Sequence, residues 1–595
     1  MAFIGNQIIT LNSLLDLDGQ ELVLDADADT TIHVSTDDQI DFKVAGSDKL
    51  VISSTSHLVT TTAGTSNLVL GENAGNSIAS GGNYNVLIGD EAGTAITTGD
   101  FNVAVGFEAL KTEDANGKNI AIGYQALKVL DAGADGFNTV IGYQAGVSMN
   151  TGTVNTIIGH QAGDALTTGN NNVAVGHEAL GAEIQGDRSV DVAVGALQSQ
   201  SNSSDADVNN TAVGYNAGLS VTTGTTNTLI GALAGDALTV GSENVAIGDL
   251  ALSVDTKGSR SVAIGRAALD AQNFSSATNA YNTAVGYDAG GSITTGQQNT
   301  LMGGLAGDSL TDADYNVAIG YAALTTDTQG SRSTAVGTNA LNAQNPASAT
   351  DMHNTAVGNN SGESITTGTR NTFLGSAAGD AVTTVNSNTA IGYDAGGANQ
   401  TGTRTTFVGD SAGSNSTVSD NTFIGQNAGS TVTSGDANTI LGRFDGNSNG
   451  LDIRTSSNNI VLSDGDGQPR LHYDSAKQNW DFQNGVGFAT IKTNLTTVPQ
   501  NTATTIIDAS SLGGNQSERG FYLLTTVREG ASVGTHLSAI VAVSSDSAVV
   551  VYHTIVASSG VSLAASGAAF RLTNTSSSVD MHTSLIPIGI HGGSA

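Results

Sequence analysis

The chain has no cysteine in 595 residues, only 4 prolines, and 20 Lys and Arg set against 54 Asp and Glu. Without cysteine there are no disulfides, no thiolate metal sites and no cysteine nucleophile, so the fold is indifferent to redox compartment. The formal charge of −34 repels phosphate backbones and anionic lipid surfaces, which argues against nucleic-acid binding and favours a soluble particle. No window approaches a bare apolar run of membrane length. The opening MAFIGNQIITLNSLLDLDGQ has no base ahead of its short apolar stretch, and Asn6, Gln7 and Asn12 interrupt it. A secretory signal is therefore not expected.

What is present is glycine, 76 residues of it, together with an apolar fraction of 38%. Glycine at that level fits either disorder or a repeat, and the regular placement of the aliphatics selects a folded repeat. One nonapeptide theme recurs: Asn, three mostly apolar residues, Gly, two variable positions, Ala, then Gly or Leu. NVAVGFEAL starts at Asn102, NIAIGYQAL at Asn119, NTVIGYQAG at Asn138 and NTIIGHQAG at Asn155. Read this way there are 22 copies, at 67, 85, 102, 119, 138, 155, 172, 191, 210, 227, 244, 261, 282, 299, 316, 333, 354, 371, 388, 405, 421 and 438. Most steps are 17 residues, and Asn138, Asn210, Asn282 and Asn354 lie 72 apart, which implies a duplicated four-rung block. A short strict period with insertions tolerated at one place marks a solenoid.

Each apolar segment holds about four residues of Val, Ile, Thr or Ala closed by Gly, too short for a helix. Turn-formers such as SITTGQQ (292–298) separate the copies. Stacked rungs then pair strand on strand in parallel, about 4.8 Å apart. The leading Asn forms a ladder of side-chain amides, interrupted at Asp191, Ser261, Ser333 and Thr405. Both strand faces are apolar. The third residue after the Asn (Val105, Ile122, Ile141, Ile158, Val175, Ile230) is expected to point into the roll with the first. The second residue then points outward: Ala104, Ala121, Val140, Ile157, Ala174, Leu229, Leu301, Phe373, Phe407, Phe423 and Ile440. Continuous exposed apolar surface on that scale marks a protein–protein interface. Val140, Ile157, Leu229, Leu301, Phe373, Phe407, Phe423 and Ile440 are accordingly the expected interface.

The N-V-A-I-G rungs resemble the head repeats of trimeric autotransporter adhesins. Repeats such as NTAVGYNAG, with flanks like these, resemble those of phage tail fibres more closely, over about residues 67–446. The resemblance implies an all-β protein, a homotrimer of left-handed parallel β-rolls, and a virion appendage. The export signal, coiled-coil stalk and membrane-anchoring barrel of the adhesins are not expected beside this repeat. Residues 1–66 read as β-hairpins that would join a virion tail or baseplate protein. Residues 447–490 read as a cap with two strands around an Asp-Gly-Asp-Gly turn and Trp480 packed over the last rung. Residues 491–595, with strands at 519–528, 535–544, 547–557, 567–573 and 579–589, read as a β-sandwich or jelly roll. This C-terminal domain would meet a host surface receptor, for which a glycan is one candidate.

No cofactor, metal or catalytic residue is expected. Phe107, Tyr124, Tyr143, His160 and His177 form a column whose plainest reading is stacking between rungs, with sugar binding as the alternative. His160 and His177 should be neighbours, yet no carboxylate pattern accompanies them as a metal site would need. Asp16, Asp18, Asp464 and Asp466 have a calcium-like spacing without its terminal Glu, and read as turn-formers. Glu108 and Glu178 match in register, but Asp90 and Glu91 share no wider pattern, against a glycan-cleaving groove. A bacterial surface adhesin and a polysaccharide-degrading spike are the alternatives to a tail fibre. Genome neighbours would separate the first, and release of oligosaccharide the second.

Overall fold

The computed structural model describes residues 22–482 apart from short gaps (25, 27, 37–38, 46, 53–57, 61 and 205), and beyond them strand backbones between 496 and 590. The described residues are all-β, without a helix, and their main body is a parallel β-solenoid. The chain divides into two units, residues 1–316 and 317–595. The first carries 14 stacked three-residue strands, from Leu68–Leu70 to Thr300–Met302, and the second carries eight more, from Val317–Ile319 to Thr439–Leu441, followed by the four-residue Ile460–Ser463. Within each unit, each strand pairs in parallel and in strict register with the next, as in Thr139↔Thr156, Val140↔Ile157 and Ile141↔Ile158.

Each rung is named here by its ladder residue, the Asn preceding the strand. That Asn is buried, and its side-chain oxygen accepts the backbone N–H of the next ladder residue at 2.8–3.0 Å over much of the stack, as in Asn102→Asn85 and Asn172→Asn155. Its Nδ2 donates instead to a turn carbonyl 14 residues on, as in Asn85 to Gly99 at 2.9 Å. The expected amide ladder is thus mostly backbone-to-side-chain. Direct amide–amide contacts such as Asn138 Nδ2 to Asn119 Oδ1 at 3.1 Å are the minority, because the turn carbonyls otherwise would be buried without donors.

Between strands the chain turns through residues at positive φ, several per rung and mostly not glycine: Phe101 (60°), Glu108 (54°) and Leu110 (50°) in one stretch. Each such residue costs about 1–2 kcal/mol relative to the right-handed region. The turned backbone aims its N–H along the stacking direction, so Phe101 donates to Asn83, Glu108 to Asp90 and Leu110 to Ala126 at 3.0 Å each. Stacking offsets the local strain, and one rung alone would not hold its shape.

One expected rung is misplaced. Strand Val190–Val192 pairs Ala174 with Asp191 and Asp191 with Ala212, so the ladder residue is Ser189, whose N–H meets Asn172 Oδ1 at 2.8 Å. Asp191 lies at the middle of the strand. Ser261 and Thr405 hold ladder places as expected, at 2.9 and 3.0 Å from the oxygen below. The stack also runs one rung further than expected, because Asn459 extends the ladder to Asn438 and Ile460–Ser463 pairs in parallel with Thr439–Leu441.

Both ends are closed. In the first unit, strands Leu22–Val23, Thr31–Thr36, Gln39–Val44, Ser47–Ile52 and Leu58–Thr60 form an antiparallel meander. Thr60 Oγ1 accepts the Val69 N–H at 2.7 Å, and Thr62 Oγ1 accepts from Asn67 Nδ2 at 2.9 Å. In the second, Ile460–Ser463 turns into Pro469–Asp474 and Asn479–Phe482, both antiparallel. The buried His472 meets the final ladder oxygen, Asn459 Oδ1, at 3.0 Å. Burial pushes its imidazole below the ordinary value, which suits a neutral ring donating Nε2–H. Trp480 pairs with Tyr473, rings 5.2 Å apart, and remains exposed on the hairpin. Beyond residue 495 the strands form two antiparallel sheets. One joins Thr496–Val498, Met581–Ile590, Gly520–Arg528, His536–Ser545 and Ala548–Val556 in that order; the other joins Thr502–Asp508, Ala569–Asn574 and Val561–Ser566.

Candidate functional surface

The expected interface residues all lie inside the roll. Val140, Ile157, Leu229, Leu301, Phe423 and Ile440 have no exposed surface, and Phe373 and Phe407 have 1%. In and out are therefore reversed, and none of the eight is available to a second chain. The cause is the narrow bore. Each strand contributes one inward side chain, its second, which shares the interior with residues six and nine positions further on. In the Asn102 rung these are Ala104, Leu110 and Glu113, all fully buried.

Space is exchanged between two of these places. In seven of the eleven rungs whose strand residue is Ala, as at Ala104 and Ala121, the later one is Leu (Leu110, Leu127), and at Ala212, Ala284, Ala356 and Ala390 it is glycine; where the strand residue is large, as at Leu87, Phe373 and Phe407, the later one is glycine (Gly93, Gly379, Gly413). A Cβ at Gly379 would lie 2.5 Å from the Phe373 ring, and one at Gly413 2.6 Å from Phe407. The Phe cluster at 373, 407 and 423 thus thickens the core, with the Phe407 and Phe423 rings stacked at 5.3 Å.

What faces outward is the first and third strand residue, by simple alternation. The third is aliphatic or Met in rung after rung, and in many it is substantially exposed: Ile230, Met302, Leu374, Ile424 and Leu441 by 37–50%. Because the register is strict, these side chains stack into a continuous apolar stripe within each unit. This stripe, not the residues expected, is the candidate association surface.

The aromatic column stacks as expected. Phe107–Tyr124, Tyr124–Tyr143, Tyr143–His160 and His160–His177 have ring centroids 5.4, 5.0, 5.2 and 4.9 Å apart, within 16° of parallel. Stacked rings present edges rather than faces. Glu108 sits beside it, bonded by Lys111, Lys128 and Gln125, and Lys111 and Lys128 hold its carboxyl down to about 2. A carboxylate so held has no proton to donate near neutral pH. Asp464 accepts the N–H of Asp466 and Gln468 and pairs with Arg470, so it is a turn-former. Asp16 and Asp18 lie outside the described residues. Three carboxylates, Glu113, Asp114 and Asp131, approach one another on neighbouring rungs, but Glu113 already accepts the N–H of Asn116 and Ala132.

A buried polar layer that the sequence reading missed recurs every four rungs. The inward position 11 residues after the ladder residue runs Glu183, Gln200, Val221, Leu238, Asp255, Gln272, Ile293, Leu310 in the first unit, and Asp327, Gln344, Ile365, Val382 in the second. Gln272 Nε2 donates to Asp255 Oδ2 at 2.6 Å and to Ser261 Oγ at 3.1 Å, while its Oε1 accepts from Asn282 Nδ2 at 2.8 Å. Gln344 repeats the pattern with Asp327, Ser333 and Asn354. Glutamine thus bridges the ladder where Ser replaces Asn. The 72-residue spacing of these polar residues was the available signal.

Fold and surface together define a class, the parallel β-solenoids. Comparison with family models, with curated proteins and with solved structures finds no match.

Proposed function

We propose that the protein is an architectural fibre, three copies associated along their exposed strand faces, serving as a phage tail fibre that links the virion to its host. The observation that carries this reading is the outward aliphatic stripe, Val175, Val213, Ile230, Ile247, Ile264 and their counterparts. An apolar side chain that is half-buried in most rungs and 36–50% exposed at Leu70, Ile230, Met302, Ile319, Leu374, Ile424, Leu441 and Leu462 leaves apolar surface in water at about 25 cal/mol per Å². Covering it with identical stripes removes that cost, and like rungs repeat at like spacing, so one weak contact is multiplied along the stack. Three-fold closure and the left hand of the roll rest on the resemblance to the adhesin heads, and the virion setting on that to tail fibres. The N-terminal meander would join the particle, and the two C-terminal sheets, packed as a sandwich, would meet the host. The role is mechanical and adhesive rather than catalytic, with trivalency raising avidity.

Sedimentation of the full chain tests the association directly. The expected species has three times the chain mass. Asp at outward positions (Ile230→Asp with Ile247→Asp) should release folded single chains, whereas the inward Leu229→Asp should unfold its rungs. A parent protein that sediments as one chain would end the fibre reading. If the trimer stands, deletion from residue 491 onward should leave it assembled and abolish adsorption to host cells.

A further inference from the structure

The exposed column five residues after each ladder residue continues past His177 as Val194, Tyr215, Ala232, Asp249, Arg266 and Tyr287. These stand on successive rungs: the carbonyls of Val194, Tyr215, Ala232, Asp249 and Arg266 each accept the N–H next to the following column residue, at 2.9–3.0 Å. Lower in the column, the five places from Phe107 to His177 are all filled by rings, each 4.9–5.4 Å from the next, with Glu72, Asp90 and Val194 at the other lower places. At Ala232 the column lacks a ring. Tyr215, 57% exposed, lies one rung to one side. On the other side Asp249 is held by Arg266, Nε to Oδ2 at 3.4 Å, and the guanidinium of Arg266 in turn lies over Tyr287, 5.9 Å from its centroid.

We infer that this gap is a subsite for one neutral pyranose ring of a polysaccharide. Two rung spacings separate Tyr215 from Asp249, about 9.6 Å, which is twice the stacking distance seen below and leaves room for one saturated ring between them. An aromatic face carries partial negative charge and attracts the C–H face of a sugar. The carboxylate opposite accepts hydrogen bonds from sugar hydroxyls, and Arg266 fixes it in place. An acidic sugar is disfavoured by Asp249 and by the chain's charge of −34. The contact is complete within one chain, and it does not depend on how many chains associate.

The test is saturation-transfer NMR on the full chain with four neutral hexasaccharides, of α-glucose, β-glucose, mannose and N-acetylglucosamine. At least one should bind. Tyr215→Ala should weaken binding at least tenfold. Ala232→Tyr should do the same by closing the gap with a ring of the chain's own. That variant is structurally safe, because Tyr124 and Tyr143 occupy the same place on other rungs, and an unchanged thermal melt checks it. Tyr281→Ala, in a different column beside Arg260, should bind within twofold of the parent. Absence of binding to all four sugars, or undiminished binding by Ala232→Tyr, overturns the proposal.

Discussion

Two stretches of the first unit, the rungs from Asn172 to Asn210 and those from Asn244 to Asn282, lie 72 residues apart and share one plan, yet only the second satisfies it. In both, Ser holds the ladder place on the middle rung (Ser189, Ser261) and a glutamine bridges from it to the next Asn: Gln200 to Asn210 and Gln272 to Asn282, each at 2.8 Å. In both, a buried acid lies one rung below. Asp255 accepts the N–H of Gly258 at 2.9 Å, and Glu183 that of Gly186 at 2.8 Å, with Asn202 on its second oxygen. The difference lies in the strand. The second stretch has Ala263 at the inward position and Gly265 after the strand, at φ 132°. The first has Asp191, fully buried with neither carboxylate oxygen bonded, and Ala193 at φ 133°. A Cβ at Gly265 would meet the Gly286 carbonyl oxygen at 2.3 Å, so Ala193 occupies a conformation and a space made for glycine. The lesson is that this core accepts polar groups where hydrogen bonds close around them. A rung that breaks the rule survives on its neighbours' stacking.

The comparison is broken most severely by stripping the well-made layer. Asp255→Ala leaves the Gly258 and Lys257 N–H groups and one donor of Gln272 without their acceptor. The expected cost is about 3 kcal/mol, confined to rungs Asn244 to Asn282. Hydrogen exchange at the amides of Val262–Ile264 should speed up roughly a hundredfold, while those of Val140 and Ile157 stay protected. Uniform loosening along the first unit would show that the layer is not local.

Repairing the poor stretch is the next largest effect and has the opposite sign. Asp191→Ala with Ala193→Gly copies the second stretch into the first and should stabilise its rungs by about 2 kcal/mol near neutral pH. Ala263→Asp should cost a similar amount in the second. The gain depends on pH. Burial, with Glu183 nearby, pushes the Asp191 carboxyl well above its usual value of 3.8. The folded rung then binds a proton that the unfolded chain has already lost, so its stability falls as pH rises above about 4, until the folded carboxyl ionises. The advantage of Asp191→Ala should therefore be smallest at pH 3 and grow toward pH 7, read again by exchange at Val190–Val192. An advantage that shrinks with rising pH would mean that Asp191 has a partner.

Much of this was legible in the sequence. Parallel stacking, the ladder and the four-rung block follow from periodicity, because stacking puts like residues on like. Sidedness did not follow, since three-residue strands that are apolar throughout give no polar–apolar alternation to read. The decisive cue was size exchange: Ala104 with Leu110 but Phe373 with Gly379 means that these two positions share one interior. Asp191 misled because DVAVG mimics NVAVG, although Ser189 stands 17 residues after Asn172 and 72 before Ser261. The caps, Thr60 and His472, occur once each and carry no period to detect.

The smallest difference between the two stretches lies on the surface. Arg188 and Arg260 occupy the same place before their ladder serines, but Arg188 reaches forward to Asp207 and Arg260 back to Glu243, Nε to Oε2 at 3.0 Å. The Glu243 carboxylate, followed by the Tyr281 hydroxyl, raises the Arg260 guanidinium further above a value already far from neutrality, so its charge is constant over any working pH. Both pairs are open to water, where Coulomb attraction is screened and the side-chain entropy of holding two long groups opposes it. Arg188→Gln and Arg260→Gln should each leave exchange at Val190–Val192 and Val262–Ile264 unchanged, in low salt and in high. If one arginine mattered and the other did not, the direction of its reach would be part of what fixes the stacking register. The two stretches would then differ in more than their cores.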